Sequence, residues 1–103
     1  MAEVIVSENA DADLDRLVTF LIEHEPVAAQ ETCDLVLGAM DVLRMHPLLG
    51  RPAGGDLREL VISRGRTGYL ALYDYDAQAD EVVILAIRHQ REAGYPDPGG
   101  LQG

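Results

Sequence analysis

Apolar and polar residues change their spacing along this chain, and the changes divide it into elements. Glu3 to Val6 (EVIV) is a short run of β-type residues. From Ala10 the apolar positions recur at three- and four-residue steps: Ala10, Leu14, Leu17, Val18, Leu21 and Ile22. That period predicts a helix from about Glu8 to His24. Ser7 offers a hydroxyl N-cap, and Glu8, Asp11 and Asp13 put negative charge where the helix dipole favours it. Pro26 breaks this helix and suits the first position of the next. Ala29, Cys33, Val36, Leu37, Met40 and Leu43 form a second helical stripe, ending by His46–Pro47. The joint is only a few residues long, so the helices are expected to lie antiparallel as a hairpin.

Residues 47–56 (PLLGRPAGGD) are rich in Pro and Gly and read as a loop. Beyond them the period falls towards two. Leu57 to Ile62 (LRELVI) is strand-like, with Arg58 and Glu59 exposed. Arg64 and Arg66 sit in the turn SRGRTG. Tyr69 to Tyr75 (YLALYDY) alternates, with Tyr69, Ala71, Tyr73 and Tyr75 on one face. Glu81 to Ile87 (EVVILAI) is the most apolar run and is expected to be the central strand. Short turns between these strands predict an antiparallel meander. The fold class is therefore α+β: an N-terminal edge strand, then an antiparallel helical hairpin packed on one face of a small, mainly antiparallel sheet, in the order β-α-α-β-β-β. No element remains to cover the other face. Tyr69, Tyr73, Tyr75 and the arginines are candidates for that open face or its rim. Residues 1–95 are expected to form a single domain. Residues 96–103 (PDPGGLQG), without core-forming side chains, are expected to be a flexible tail.

Composition narrows the partners. The net charge is −10, lysine is absent, and the sequence pI is near 4.4. Residues 1–55 carry a net of −7 and residues 56–103 a net of −3, so positive charge is relatively concentrated in the second half. Broad phosphate binding needs a basic face, so no direct DNA binding is expected. Cys33 is alone and lies on the apolar stripe of the second helix, where packing is the simple reading. His24 and His46 sit at helix C-termini, where a cation is favourable, and no metal-ligand spacing accompanies them. The acids of the first helix read as a solvated face. No secretory leader and no membrane-spanning run is present in the sequence, so a cytoplasmic protein without metal or cofactor is expected.

The stretch AIRHQREAGY, Ala86 to Tyr95, gathers Arg88, His89, Arg91 and Tyr95. Together with "HPLLGRP", "LREL" and "YLALYDYD", in this order and at these spacings, it resembles the RelE/ParE superfamily of toxins from type II toxin–antitoxin modules. The resemblance spans about residues 3–95. It implies a toxin neutralised by a cognate antitoxin in a hetero-oligomer. The GRP loop, LREL and the His-bearing last strand are more similar to the ParE or plasmid-stabilisation branch, which implies inhibition of DNA gyrase by protein–protein contact. Arg58, Arg64, Arg66, Tyr73, Arg88, His89 and Arg91 then form a patch for a partner. Arginine suits such a patch because its planar fork pairs bidentately with carboxylates.

The RelE branch implies a different use of the same stretch, as a ribosome-dependent mRNA endonuclease. Cleavage through the 2′-hydroxyl needs a base, an acid and cations around the phosphate. The residues available are Glu59, Arg64, Arg66, His89 and Tyr95. The acidic, lysine-free background disfavours docking on ribosomal RNA, so contact is favoured over catalysis. A degenerate, non-toxic member is the third reading. The bland reading is a wet strand end, with Arg88 pairing only with Glu59 or Glu92.

Overall fold

The computed structural model describes residues 1–64 and 67–90. Its elements are β1 (Glu3–Val6), α1 (Glu8–His24), α2 (Pro26–Met45), β2 (Arg51–Pro52), β3 (Leu57–Arg64), β4 (Thr67–Asp76) and β5 (Glu81–His89). The five strands make one sheet in the order β1-β5-β4-β3-β2. β3, β4 and β5 form the expected antiparallel meander, and β1 runs parallel to β5 at one edge. Two points differ from the sequence reading. The central strand is β4, and the apolar β5 lies between it and β1. Within the stretch read as a loop, Arg51–Pro52 pairs with β3 as a two-residue strand. Pro52 is tolerated there because an edge strand has no second neighbour to serve.

The helices begin as their end signals dictate. Ser7 Oγ accepts a hydrogen bond from the Ala10 N–H at 3.1 Å, and Pro26 opens α2. At the C-terminus of α1, His24 Nδ1 lies 2.8 Å from the Phe20 carbonyl oxygen. Both helices pack on one face of the sheet. The core joins Ala10 and Leu17 of α1 and Val36 and Leu43 of α2 to the strands through Leu60, Ile62, Ala71, Val82, Ile84 and Ile87. The apolar stripes prove narrower than their period suggested, since Ile22 and Leu37 are exposed. Cys33 is only half-buried, while its neighbour Thr32 is fully buried and donates from Oγ1 to the Tyr69 hydroxyl at 3.3 Å.

The tyrosines correct the expected faces. Tyr69 and Tyr73 share one face as their alternation predicts, but that face is the one under the helices. Neither lines the open face. Their rings fill the core, and their hydroxyls find partners inside it, which removes the cost of burying a polar tip.

A β-bulge resets the end of β5. Tyr73 pairs with Ile84 and Leu72 with Ala86, so Leu85 is the extra residue. An extra residue reverses which side chains face the core. Val82 and Ile84 point to the helices before the bulge, and Ile87 does so after it. Ala86 is buried on the face opposite the helices, beside Leu72.

The first turns of α1 hold this irregular segment. β1 stops pairing with β5 at Ile84. Beyond it, Asn9 Nδ2 and Ser7 Oγ donate to the Leu85 carbonyl at 2.9 and 3.3 Å. Asp13 Oδ2 accepts from the Ile87 N–H at 2.9 Å. Asp13, read as one of a set of solvated acids, is therefore buried. It stands in for the strand that ended too soon.

Candidate functional site

The bulge decides how the charged cluster is displayed. Arg88 pairs with Leu70, and His89 pairs with Tyr69. Adjacent strand residues point to opposite faces. His89 thus lies on the helix side, where its ring meets Tyr69 edge-on with centroids 5.3 Å apart. Arg88 lies on the open side, half-buried, with Nη1 3.5 Å from the His89 carbonyl oxygen. Leu70 and Leu72 of β4 and Val61 of β3 share that side of the sheet, where Leu70 is buried, Leu72 half-buried and Val61 exposed.

Arg58 belongs to the other side. It pairs with Tyr73 and alternates in phase with the core residues Leu60 and Ile62. Its Nη1 donates to the Leu48 and Gly50 carbonyls at 3.2 and 2.7 Å, so it ties down the chain between α2 and β2. Tyr73 does the same from within. Its hydroxyl donates to the Pro47 carbonyl at 2.8 Å and accepts from the Gly50 N–H at 2.8 Å. Burial pushes its phenol pKa above the usual 10.0, against the opposing pull of the Gly50 N–H and the Arg58 charge. Tyr73 is fully buried and offers no surface to a partner. It is a pin for the loop and is withdrawn from the partner-binding set.

Gly50 is required at this junction by close approach. A Cβ there would meet the Tyr73 ring and hydroxyl at 2.7 Å and the Glu59 carbonyl oxygen at 2.9 Å. The resemblance-bearing "GRP" is therefore legible physically: Gly50 admits the tyrosine, Arg51 pairs with Glu59, and Pro52 closes the edge. Arg51 approaches Glu59 Oε1 through Nη2 at 2.5 Å and Nε at 3.1 Å. Glu59, expected to be exposed, is largely covered, with 12% of its side chain accessible.

Among the described residues the two acid–base candidates do not converge. Glu59 pairs with Leu72 on the open face, and His89 pairs with Tyr69 on the helix face. Arg66, Arg91 and Tyr95, and the side chain of Arg64, lie outside the described residues, as does the tail. Among the described residues no cluster of His, Cys, Asp and Glu could hold a metal ion. No described helix is long and apolar enough to cross a membrane.

A second feature was not anticipated. A groove of about 730 Å³ runs between α2 and β3, lined by Leu35, Gly38, Val42, Leu49, Leu60 and Val61, with Glu31 and Asp34 towards its N-terminal half. Val42, Leu49 and Val61 are exposed there. Signals for it existed in the sequence. The apolar residues of α2 and the following loop exceed one core stripe, and Gly38 sits bare in mid-helix.

Comparison with known proteins gives consistent matches. Residues 4–94 match the family model described as ParE toxin of type II toxin-antitoxin system, parDE. Toxin RelE3 of Caulobacter vibrioides is 37% identical over 92 residues, covering 89% of this chain and 98% of that protein. Toxin RelE1 of the same organism is 37% identical over 70 residues, covering 68% of this chain and 75% of that protein. Among solved structures, the chromosomal ParDE TA system from P. aeruginosa shares the fold with a TM-score of 0.71 at 22% identity, over 86% of this chain and 96% of that one. The RelBE2 toxin–antitoxin complex of Mycobacterium tuberculosis matches with a TM-score of 0.54 at 27% identity, over 85% and 96%.

Proposed function

We propose that this chain, which belongs to the ParE toxin family of type II toxin–antitoxin systems, acts by protein–protein contact with DNA gyrase and not by catalysis. It is a toxin of a type II toxin–antitoxin system. Its partner at rest is a cognate antitoxin, in keeping with the toxin–antitoxin complexes among its structural neighbours. Tight binding of that antitoxin stabilises the folded toxin by mass action.

One observation carries the contact reading. Glu59 and His89, the described candidates for general acid and base, stand on opposite faces of the sheet. One substrate phosphate cannot lie within hydrogen-bond reach of both. Each also has structural employment, Glu59 with Arg51 and His89 against Tyr69. The overall charge of −10 adds a long-range penalty for docking on ribosomal RNA. The contact surface is the open sheet face around Arg88, with Leu72 and Val61 beside it.

The names of the two relatives, RelE3 and RelE1, favour a second reading: a ribosome-dependent mRNA endonuclease. The two readings separate on expression without the antitoxin. The contact reading expects relaxed plasmid DNA, a DNA-damage response and intact mRNA. Cleaved ribosome-associated mRNA with normal supercoiling would sink it, and loss of neither would mark a degenerate, non-toxic member.

A further inference from the structure

Gly68 stands inside β4, between Ser63 of β3 and Gln90 at the end of β5. The Gln90 N–H donates to the Gly68 carbonyl at 3.0 Å, so the pairing of β4 with β5 runs one residue past His89. A glycine inside a strand weakens it and often marks a close approach. Here the approaching group is a side chain. A Cβ on Gly68 would overlap Gln90 Oε1 and lie 2.7 Å from its Cδ and 3.4 Å from its Nε2. The Gln90 carboxamide therefore occupies the place where a side chain of residue 68 would stand. Gln90 is exposed, and the glycine beneath it is buried.

The face follows from the pleat. Gly68 is in phase with Leu70, and Gln90 with Arg88. The carboxamide thus lies on the side of the sheet opposite the helices, next to Arg88. Gly68 differs from Gly50 in what it admits. At Gly50 a Cβ would meet a buried ring and a backbone carbonyl oxygen, whereas at Gly68 it would meet only the free end of a flexible side chain. Nor does the backbone ask for glycine, since the described glycines with positive φ are Gly54 and Gly55. What Gly68 provides is room for the carboxamide to lie down on the strand.

A carboxamide offers N–H donors and a carbonyl acceptor from one planar group. A peptide group carries the complementary pair. Arg88 beside it suits a carboxylate. A protein segment that presents a peptide group next to an acidic side chain fits both residues. A second copy of this chain would bring another −10 to the face.

We propose that Gln90 is a specificity-determining contact of this surface: its carboxamide, laid across Gly68 beside Arg88, hydrogen-bonds a peptide group of a gyrase segment that also carries an acidic side chain. Gly68 acts through Gln90 as a positioning residue. The proposal rests on the reading of the toxin as a gyrase-contacting protein.

The test measures gyrase binding and inhibition of supercoiling by the wild-type toxin, Gln90→Met, Gly68→Ala and the double variant, with thermal midpoints alongside. Gln90→Met keeps the length of the side chain and removes its hydrogen bonds. It is expected to weaken binding about 3- to 10-fold. Gly68→Ala keeps the carboxamide and displaces it. A similar loss is expected, with the thermal midpoint unchanged or raised. The double variant is expected to lose no more than Gln90→Met alone, because no amide is left to displace. Wild-type binding in Gln90→Met or in Gly68→Ala would overturn the proposal and leave the contact reading standing. Full additivity of the two losses would also overturn it, as would a dimer of free toxin that Gln90→Met dissolves. A wild-type toxin that does not bind gyrase at all would overturn the contact reading, and this proposal with it.

Discussion

The carboxylate of Asp13 accepts a hydrogen bond from the backbone N–H of Ile87 at 2.9 Å, across 74 residues of sequence. With Ser7 and Asn9 on the Leu85 carbonyl, this contact holds the bulge that puts His89 on the helix face and Arg88 on the other. Removing the acceptor leaves a buried N–H unsatisfied, which costs about 1–3 kcal/mol. Asp13→Ala is therefore expected to lower the urea unfolding free energy by that amount. Asp13→Asn keeps a carbonyl oxygen at the site and is expected to lose less. An unchanged midpoint in Asp13→Ala would show that the bulge does not depend on α1.

The Tyr73–Gly50 junction makes a second expectation. Tyr73→Phe removes the acceptor of the Gly50 N–H and the donor to the Pro47 carbonyl. A loss of about 1–3 kcal/mol is expected, with faster amide exchange at Gly50. Gly50→Ala drives a methyl group into the same ring and is also expected to destabilise. Because the two sites touch, their effects are expected to couple by about 0.5–3 kcal/mol in a double-mutant cycle. Strict additivity would contradict the packing described.

Alkaline pH reports on the same tyrosine. The Tyr73 phenol is pushed above 10.0 chiefly by burial. The unfolded chain therefore releases its proton at a lower pH than the folded chain does. This contribution is fully present below pH 10.0 and is lost as pH rises through the folded value. The Tyr75 phenol is also pushed up, through its hydrogen bond to Asp80. Unfolding free energy is thus expected to fall with alkaline pH, and Tyr73→Phe should flatten the slope without abolishing it. An unaltered slope in Tyr73→Phe would assign the effect elsewhere.

Glu59 separates structure from catalysis. Its partner Arg51 leaves 64% of its side chain exposed, and such pairs contribute about 0–1 kcal/mol. Glu59→Gln is expected to cost no more than that, and to leave growth inhibition on expression unchanged. Loss of toxicity at unchanged stability would support the nuclease reading.

Much of this fold was legible because its signals are local. The α1 stripe, the Ser7 cap, Pro26 and the period change after Asp56 each act within a few residues. What stayed hidden depends on pairing. Nothing near Leu85 marks a bulge; it lies where β1 stops pairing, at Ile84, and α1 side chains take over. Nothing near Tyr73 says which face is covered, because alternation fixes only that Tyr69 and Tyr73 agree. The candidate site was half legible for the same reason. Arg88 and His89 are adjacent in sequence, yet the pleat separates them, and Glu59 joins only one of the two faces.

The most direct test of contact without catalysis is a supercoiling reaction with purified gyrase, relaxed plasmid and ATP, titrated with the purified toxin. Dose-dependent loss of supercoiling is expected, reversed by the antitoxin and weakened by Arg88→Ala in a folded variant. Full supercoiling at saturating wild-type toxin, from a preparation that still arrests growth, would contradict it.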